Sequence, residues 1–412
     1  MVSFLVLALM QQPDSAHFAP IARYLEESVQ RGAFPGAVVA VGRRDTVLYL
    51  HAVGRTTYAG GREVATSTVY DLASLTKVVG LTTAIMMLVE EGRVNLDAPV
   101  RSYVQMFGYA HDSTITVRHL LTHSSGLPAW RPYWQQVASG QRPRRQDAQV
   151  RPGTARQREA VFDLAAREPL EYATGTRMIY SDVGAINLTR MVEALTGERL
   201  DRFLARRLFE PLGMRTARFL PPTTWRPRIA PTEVDTTYRH RLVHGQVHDE
   251  NAFAMSGVSG HAGLFGSAED LARFAQMMLR GGTMPSSRAR SRDLVHGARG
   301  SGFQGSASER DPDIRLVQDS TIAAFTRVQE PALSQRALGW ETPSGQNSAG
   351  SRLTPRAFGH TGFTGVSIWI DPGQDLFVVL LTNRVHPTRE NTLVFEVRRR
   401  VADLASELAA TP

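Results

Sequence analysis

Apolar residues at Phe18, Ile21, Leu25 and Val29 recur at helical spacing and predict an amphipathic helix over residues 18–31. Two β-branched runs, 36–42 and 47–53, flank Arg43-Arg44-Asp45 and read as a hairpin. From 74 to 91 the chain is apolar on nearly every side, with Gly92 at the expected stop, which predicts a buried helix. The middle, about 116–280, is helix-rich, with segments over 189–195 before Gly197, 200–209, and 268–279 before Gly281. Near the end, runs 366–370 and 376–381 flank Asp371-Pro372-Gly373-Gln374-Asp375 as a second hairpin, and a last helix runs from about 388 to 409. Two polar stretches, about 130–158 and 281–313, predict mobile insertions rather than elements.

The order is helix, strands, helical middle, strands, helix. It predicts one interleaved unit over residues 16–412, with an antiparallel sheet from about 16–70 and 314–412 and a helix-rich part over about 71–313. Residues 1–15 open with an apolar run of signal-peptide length that lacks Lys and Arg. The expectation is an exported protein, periplasmic or extracellular, with an atypical or truncated signal, a cytoplasmic location staying open.

Composition narrows the chemistry. No apolar run approaches the roughly 18–20 residues that span a bilayer, so no integral membrane segment is expected. The absence of cysteine excludes a disulfide framework, cysteine-ligated metal and a thiol nucleophile. The net charge of +8 comes from scattered arginines, and the densest basic stretch, 142–158, has no interleaved aromatics. It reads as a solvated loop, and no nucleic-acid partner is expected. Among 47 basic residues only Lys77 is a lysine. Arginine cannot supply a neutral amine near pH 7, whereas a buried lysine can, so Lys77 is the first candidate for chemistry.

Ser74 lies three residues before Lys77 at the start of the buried helix, where positions three apart share a face and the amine reaches the hydroxyl. Serine needs such a base to become a nucleophile. Tyr180-Ser181-Asp182 precedes a helical pattern, and His360-Thr361-Gly362 opens the strand before the last hairpin. His240, His244 and His248 have four-residue spacing, but Gly245 and the Val243/Val247 alternation argue against one helix face, so no metal or other cofactor is expected. His123 and His261 read as structural hydrogen-bonders.

Taken in order, Ser-x-x-Lys, Tyr-x-Asp and His-Thr-Gly resemble the serine β-lactamase and penicillin-binding-protein superfamily, most closely its class C β-lactamase-like serine hydrolases and esterases. Further matching strings are Tyr70-Asp71-Leu72-Ala73, Leu120-Leu121-Thr122-His123-Ser124-Ser125-Gly126-Leu127, Pro211-Leu212-Gly213-Met214, His248-Asp249-Glu250-Asn251-Ala252, Gly260-His261-Ala262-Gly263-Leu264-Phe265 and Gly359-His360-Thr361-Gly362-Phe363-Thr364-Gly365. The resemblance implies an α/β (α+β) β-lactamase/transpeptidase-like fold and an acyl-enzyme mechanism. Ser74 would be the nucleophile, Lys77 its proton-transfer partner and Tyr180 the relay. The N–H groups of Ser74 and Phe363 would form the oxyanion hole. Asp182, His360, Thr361, Gly362 and Phe363 would contact substrate, a small ester or amide or a cell-wall peptide. Two positions depart from the β-lactamase pattern: Asp182 stands where Asn is usual, and His360 where Lys is usual. Loss of the amide and of a permanent cation predicts a neutral or ester substrate, cleaved by an esterase or a D-amino-acid peptidase or carboxypeptidase. A β-lactamase proper and a catalytically silent penicillin-recognising or peptidoglycan-binding module are the alternatives. The sequence does not speak to oligomeric state.

Overall fold

The computed structural model describes residues 16–104, 115–138, 152–285, 313–345 and 347–411. Both ends of the chain build one antiparallel sheet. Strands β1 (Gly36–Gly42) and β2 (Val47–Gly54) come from the N-terminal part, and β3 (Phe358–Thr361), β4 (Ser367–Asp371) and β5 (Leu376–Thr382) from the C-terminal part. Their order is β2-β1-β5-β4-β3. The register sets Val39 opposite Leu380 and Ser367 opposite both Leu380 and Thr361.

Side chains on a strand alternate between faces, and β1 is buried on both. Val39 and Val41 pack with Leu25, Leu380, Val397 and Val401 under helix α1 (Ala19–Gln30) and the C-terminal helix Val394–Ala410. Val38 and Ala40 belong to the larger core, with Val78, Ile85, Phe274, Met277 and Trp340. That second core joins the sheet to the helices of the middle part. Among them is the segment from Thr76 to Glu90, a π-helix over Thr76–Thr82 continuing as α2 (Thr83–Glu90), with Gly92 at φ +67° behind it. The helix predicted over 189–195 is longer, α3 (Asp182–Thr196), because the Ser181 hydroxyl accepts the Gly184 N–H and starts it earlier. Helix α4 (Ala268–Leu279) matches its sequence pattern.

Several expectations need correction. Within 130–158, Tyr133 is fully buried at the start of the helix Tyr133–Ala138, and Thr154 caps a helix over Ala155–Ala166; residues 139–151 lie outside the described residues. Arg158 is not a solvated loop cation. It is buried, donates to the carbonyls of Met255 (3.2 Å) and Val258, and pairs with Glu193 at 2.5 Å. Within 281–313, Thr283–Met284 pairs with Ile314–Arg315, while 286–312 lie outside the described residues, as does the segment 1–15 read as a signal remnant. The last helix begins at Val394 rather than near 388. The preceding residues are held elsewhere by Arg389 on Glu233 and Glu250, and by the Asn391 amide on the carbonyls of Gly32 and Ala33.

Removing one partner of a buried pair strands the other, typically at about 3–5 kcal/mol. Arg158→Met, which leaves Glu193 with only the Leu200 N–H and takes the guanidinium from the Met255 and Val258 carbonyls, is therefore expected to lower unfolding free energy by up to that order in urea titrations. A change within about 0.5 kcal/mol, the usual effect of a solvated surface position, would contradict the burial.

Candidate active site

The turn bearing Ser74 is fixed before the helix begins. Asp71 accepts the N–H of Ala73 at 2.9 Å on one carboxylate oxygen and that of His248 at 2.6 Å on the other. Ala73 is held at φ +44°, a left-handed conformation that costs energy for a residue with a Cβ and clusters at functional sites. The Thr76 hydroxyl donates to the Ala73 carbonyl (2.6 Å) and accepts the Leu264 N–H (3.1 Å), closing the turn against the segment that precedes α4.

Lys77 is 3% exposed, and its ammonium meets three acceptors: Ser74 Oγ at 3.0 Å, the His261 carbonyl at 2.9 Å and Asp182 Oδ1 at 2.6 Å. An ammonium has three hydrogens to give. Burial pulls the Lys77 pKa down, but Asp182 and Tyr180 outweigh it, and the net direction is upward from 10.5. The expectation of a lysine made neutral by burial is therefore corrected: at rest Lys77 is an ammonium. Asp182, in the first turn of α3, pairs with Lys77 through Oδ1.

Tyr180 is set by its neighbours' main chain. Ile179 N–H donates to the His123 carbonyl, Ser181 N–H to His123 Nδ1 at 3.1 Å, and Asp182 N–H to the Ala129 carbonyl. The Tyr180 ring lies 4.9 Å from Lys77 Nζ, 4.6 Å from the His123 ring and 5.8 Å from the His360 ring. Burial raises its pKa above 10; Lys77 pulls it back and Asp182 pushes it up again.

Ser74, Tyr180, His360, Thr361, Gly362 and Phe363 line one cavity of about 290 Å³. Arg336, Glu341, Thr361, Phe395 and Arg398 are shared with a neighbouring cavity of about 670 Å³. His360 contributes no cation. Burial first, then Arg336 and Lys77, push its pKa well below 6.5. Its Nδ1 is 2.7 Å from the Thr361 carbonyl, which can only accept, so Nδ1 carries the hydrogen and Nε2 is left as a buried acceptor without a partner.

Arg336, which no motif singled out, supplies the cation instead. Nη2 donates to Glu341 at 2.9 Å, while Nη1 is buried and unpartnered at the cavity wall, and the guanidinium lies 5.3 Å from the Tyr180 ring centroid. Buried polar groups are almost always hydrogen-bonded. Two cavity-lining residues, His360 and Arg336, each carry one that is not, which suits a ligand with both donors and acceptors. Of the three histidines at four-residue spacing, His244 reaches the Ile229 carbonyl and His248 reaches Glu233, each part of a loop network.

The Beta-lactamase family model matches residues 21–403. A curated relative in Escherichia coli (strain K12), named "Putative D-alanyl-D-alanine carboxypeptidase", is 30% identical over 393 residues, covering 88% of this chain and 81% of the relative. Its namesake in Salmonella typhimurium is 31% identical over 363 residues, covering 83% and 75%. Among solved structures, a penicillin-binding-protein homologue from Caulobacter crescentus superposes with a TM-score of 0.70 at 19% identity, over 96% of this chain and 98% of that one. EstCE1, described as a hydrolase with promiscuous acyltransferase activity, superposes at 0.66 with 20% identity, over 95% and 99%. At these identities the two structures speak to the fold alone.

Asp182 holds the proton on Lys77 and opposes ionisation of Tyr180. Removing its charge lowers both pKa values, so Asp182→Asn is expected to shift the rising limb of the kcat/KM profile for p-nitrophenyl acetate to lower pH, by about one to two units. A limb that stays in place or moves upward would show that neither proton governs the rate.

Proposed function

The chain belongs to the beta-lactamase family, a serine hydrolase acting through an acyl-enzyme on an ester or amide, and we propose that its substrate is a peptide ending in a free carboxylate, of the D-amino-acid carboxypeptidase type. The observation that carries this reading is Arg336: a cation at the wall of the cavity that holds Ser74, with one buried Nη1 unpaired. A guanidinium recognises a carboxylate through charge-assisted hydrogen bonds. The relatives named as D-alanyl-D-alanine carboxypeptidases support the same class. Asp182 and His360, which predicted a neutral substrate, are weighed against this reading: Asp182 is paired with Lys77, as Arg336 is with Glu341, and the unpaired Nη1 is what remains to meet an anion. A cell-wall peptide as substrate would put the enzyme outside the cytoplasm, in keeping with the apolar start of the chain.

In this reading Ser74 Oγ attacks the carbonyl, and its proton passes into the Tyr180–Lys77 pair, which returns it to the leaving amine. The N–H groups of Ser74 and Phe363 receive the oxyanion. Water then takes the acyl group from Ser74 with the same groups in reverse. A second reading, an esterase, is favoured by Phe363 and Phe395, which line the cavity yet are 49% and 47% exposed, an apolar lip suited to an acyl chain.

A fluorophosphonate is expected to modify Ser74 and no other serine; an adduct elsewhere by peptide mapping, or none, removes the mechanism. Lys77→Arg should keep the fold by circular dichroism and lower kcat by about 10²-fold or more, the usual worth of acid–base assistance. Retention of more than about a tenth of the rate would contradict Lys77's role. Arg336→Met should cost about 10- to 100-fold in kcat/KM on a D-Ala-D-Ala peptide, as loss of a charged hydrogen bond does, and far less on the C-terminal amide or on p-nitrophenyl acetate. Equal losses on all three would overturn the carboxylate reading in favour of the esterase.

A further inference from the structure

The N–H groups of Ser74 and Phe363 find no hydrogen-bond partner among the described residues. Their segments abut. Thr364 Oγ1 donates to the Asp71 carbonyl at 2.8 Å, and a Cβ on Gly362 would lie 2.7 Å from the Leu72 carbonyl oxygen and 3.3 Å from Ala73 Cβ, so only glycine fits there. In a trans peptide the C=O of one residue and the N–H of the next point in opposite directions. The direction of the Phe363 N–H is therefore set by whatever holds the Gly362 carbonyl.

Arg398 holds it. From the C-terminal helix, its Nη2 donates to the Gly362 carbonyl at 2.6 Å and to the Val366 carbonyl at 2.9 Å. The residue is 4% exposed, its Nε has no partner, and among the described residues it forms no ion pair. Burial, with Arg384 nearby, lowers its pKa to about 9. A buried cation matched by carbonyls and, at 5.8 Å, the Phe395 ring, with no carboxylate, is expensive to keep. Arg384 does the same on the other side of Phe363, its Nε donating to the Phe363 carbonyl at 2.8 Å.

We propose that Arg398 is a positioning residue for transition-state stabilisation: its guanidinium locks the Gly362–Phe363 peptide plane so that the Phe363 N–H faces the cavity beside Ser74, and it polarises that amide into a stronger donor. The inference rests on the acyl-enzyme reading above. An interaction realised at the oxyanion acts on kcat and on tetrahedral adducts, not on ground-state binding.

The test uses Arg398→Met and Arg398→Lys in the full chain, with p-nitrophenyl acetate turnover and the affinity of phenylboronic acid, which forms a tetrahedral adduct on an activated serine. Loss of an aligned oxyanion donor costs about 10²–10³-fold; displacement of one should lower kcat about 10- to 100-fold in Arg398→Met, weaken the boronate by a similar factor and leave KM within about threefold. Arg398→Lys, which keeps the charge but loses the planar fork, should fall in between. If Arg398→Met does not fold, Arg398→Lys decides alone: a parallel drop in kcat and boronate affinity of about threefold or more supports the proposal. Unchanged kcat and boronate affinity in a folded variant, or a change in KM alone, overturns it. Fluorophosphonate labelling of the unmodified protein is read first. Failure to label Ser74 overturns the acyl-enzyme reading and this inference together, whereas labelling with an unaffected Arg398 variant overturns this inference alone.

Discussion

The burial of one ammonium group organises this molecule. Lys77 lies almost wholly out of water, and an unpaired charge there would cost several kcal/mol. Its three partners come from three separate parts of the chain: Ser74 in its own turn, the His261 carbonyl from the segment before α4, and Asp182 from the first turn of α3. Each must be in place for the charge to be tolerated. The left-handed Ala73, the Ser181 cap and the His123 contacts that hold residues 179–182 are the local means by which the chain brings them there.

The same low-dielectric setting decides which groups around the cavity are charged. His123 and His360 are driven neutral by burial, with Arg336 and Lys77 reinforcing the effect. The cavity wall carries arginines, of which Arg336 is paired with Glu341. It also keeps an imidazole acceptor at His360 Nε2 that stays unprotonated there. Recognition of an anion and acceptance of a hydrogen bond are thus assigned to different side chains. A lysine at the position of His360 would supply a cation but no acceptor.

Backbone geometry supplies the remaining selectivity. Gly362 packs closely on Leu72 and Ala73, and Arg398 and Arg384, with the Gly365 N–H, hold the carbonyls on either side of the Phe363 amide. Main-chain donors held this way need no reorganisation when charge develops beside them.

Much of this was legible in the sequence, and the division has a physical basis. The strands over 36–42 and 376–382, the buried helix after Ser74 and the Ser74–Lys77 pair all depend on spacings of a few residues, which the chain displays directly. The ordered motifs also pointed to the fold class. Charge states were not legible, because they depend on neighbours distant in sequence: Asp182, read as facing substrate, neutralises Lys77, and Lys77 in turn is not the free amine that burial alone would make it. Arg336 and Arg398 were hidden for another reason. In a chain whose cations are nearly all arginine, one more has no signature, and only its burial against an unpaired partner or a particular carbonyl separates it from the solvated rest. The His261 carbonyl could not be read at all, since every residue carries the same main-chain oxygen. Spacing along the chain determined which side chains could do the chemistry; long-range packing alone decided which of them are charged and what each one holds.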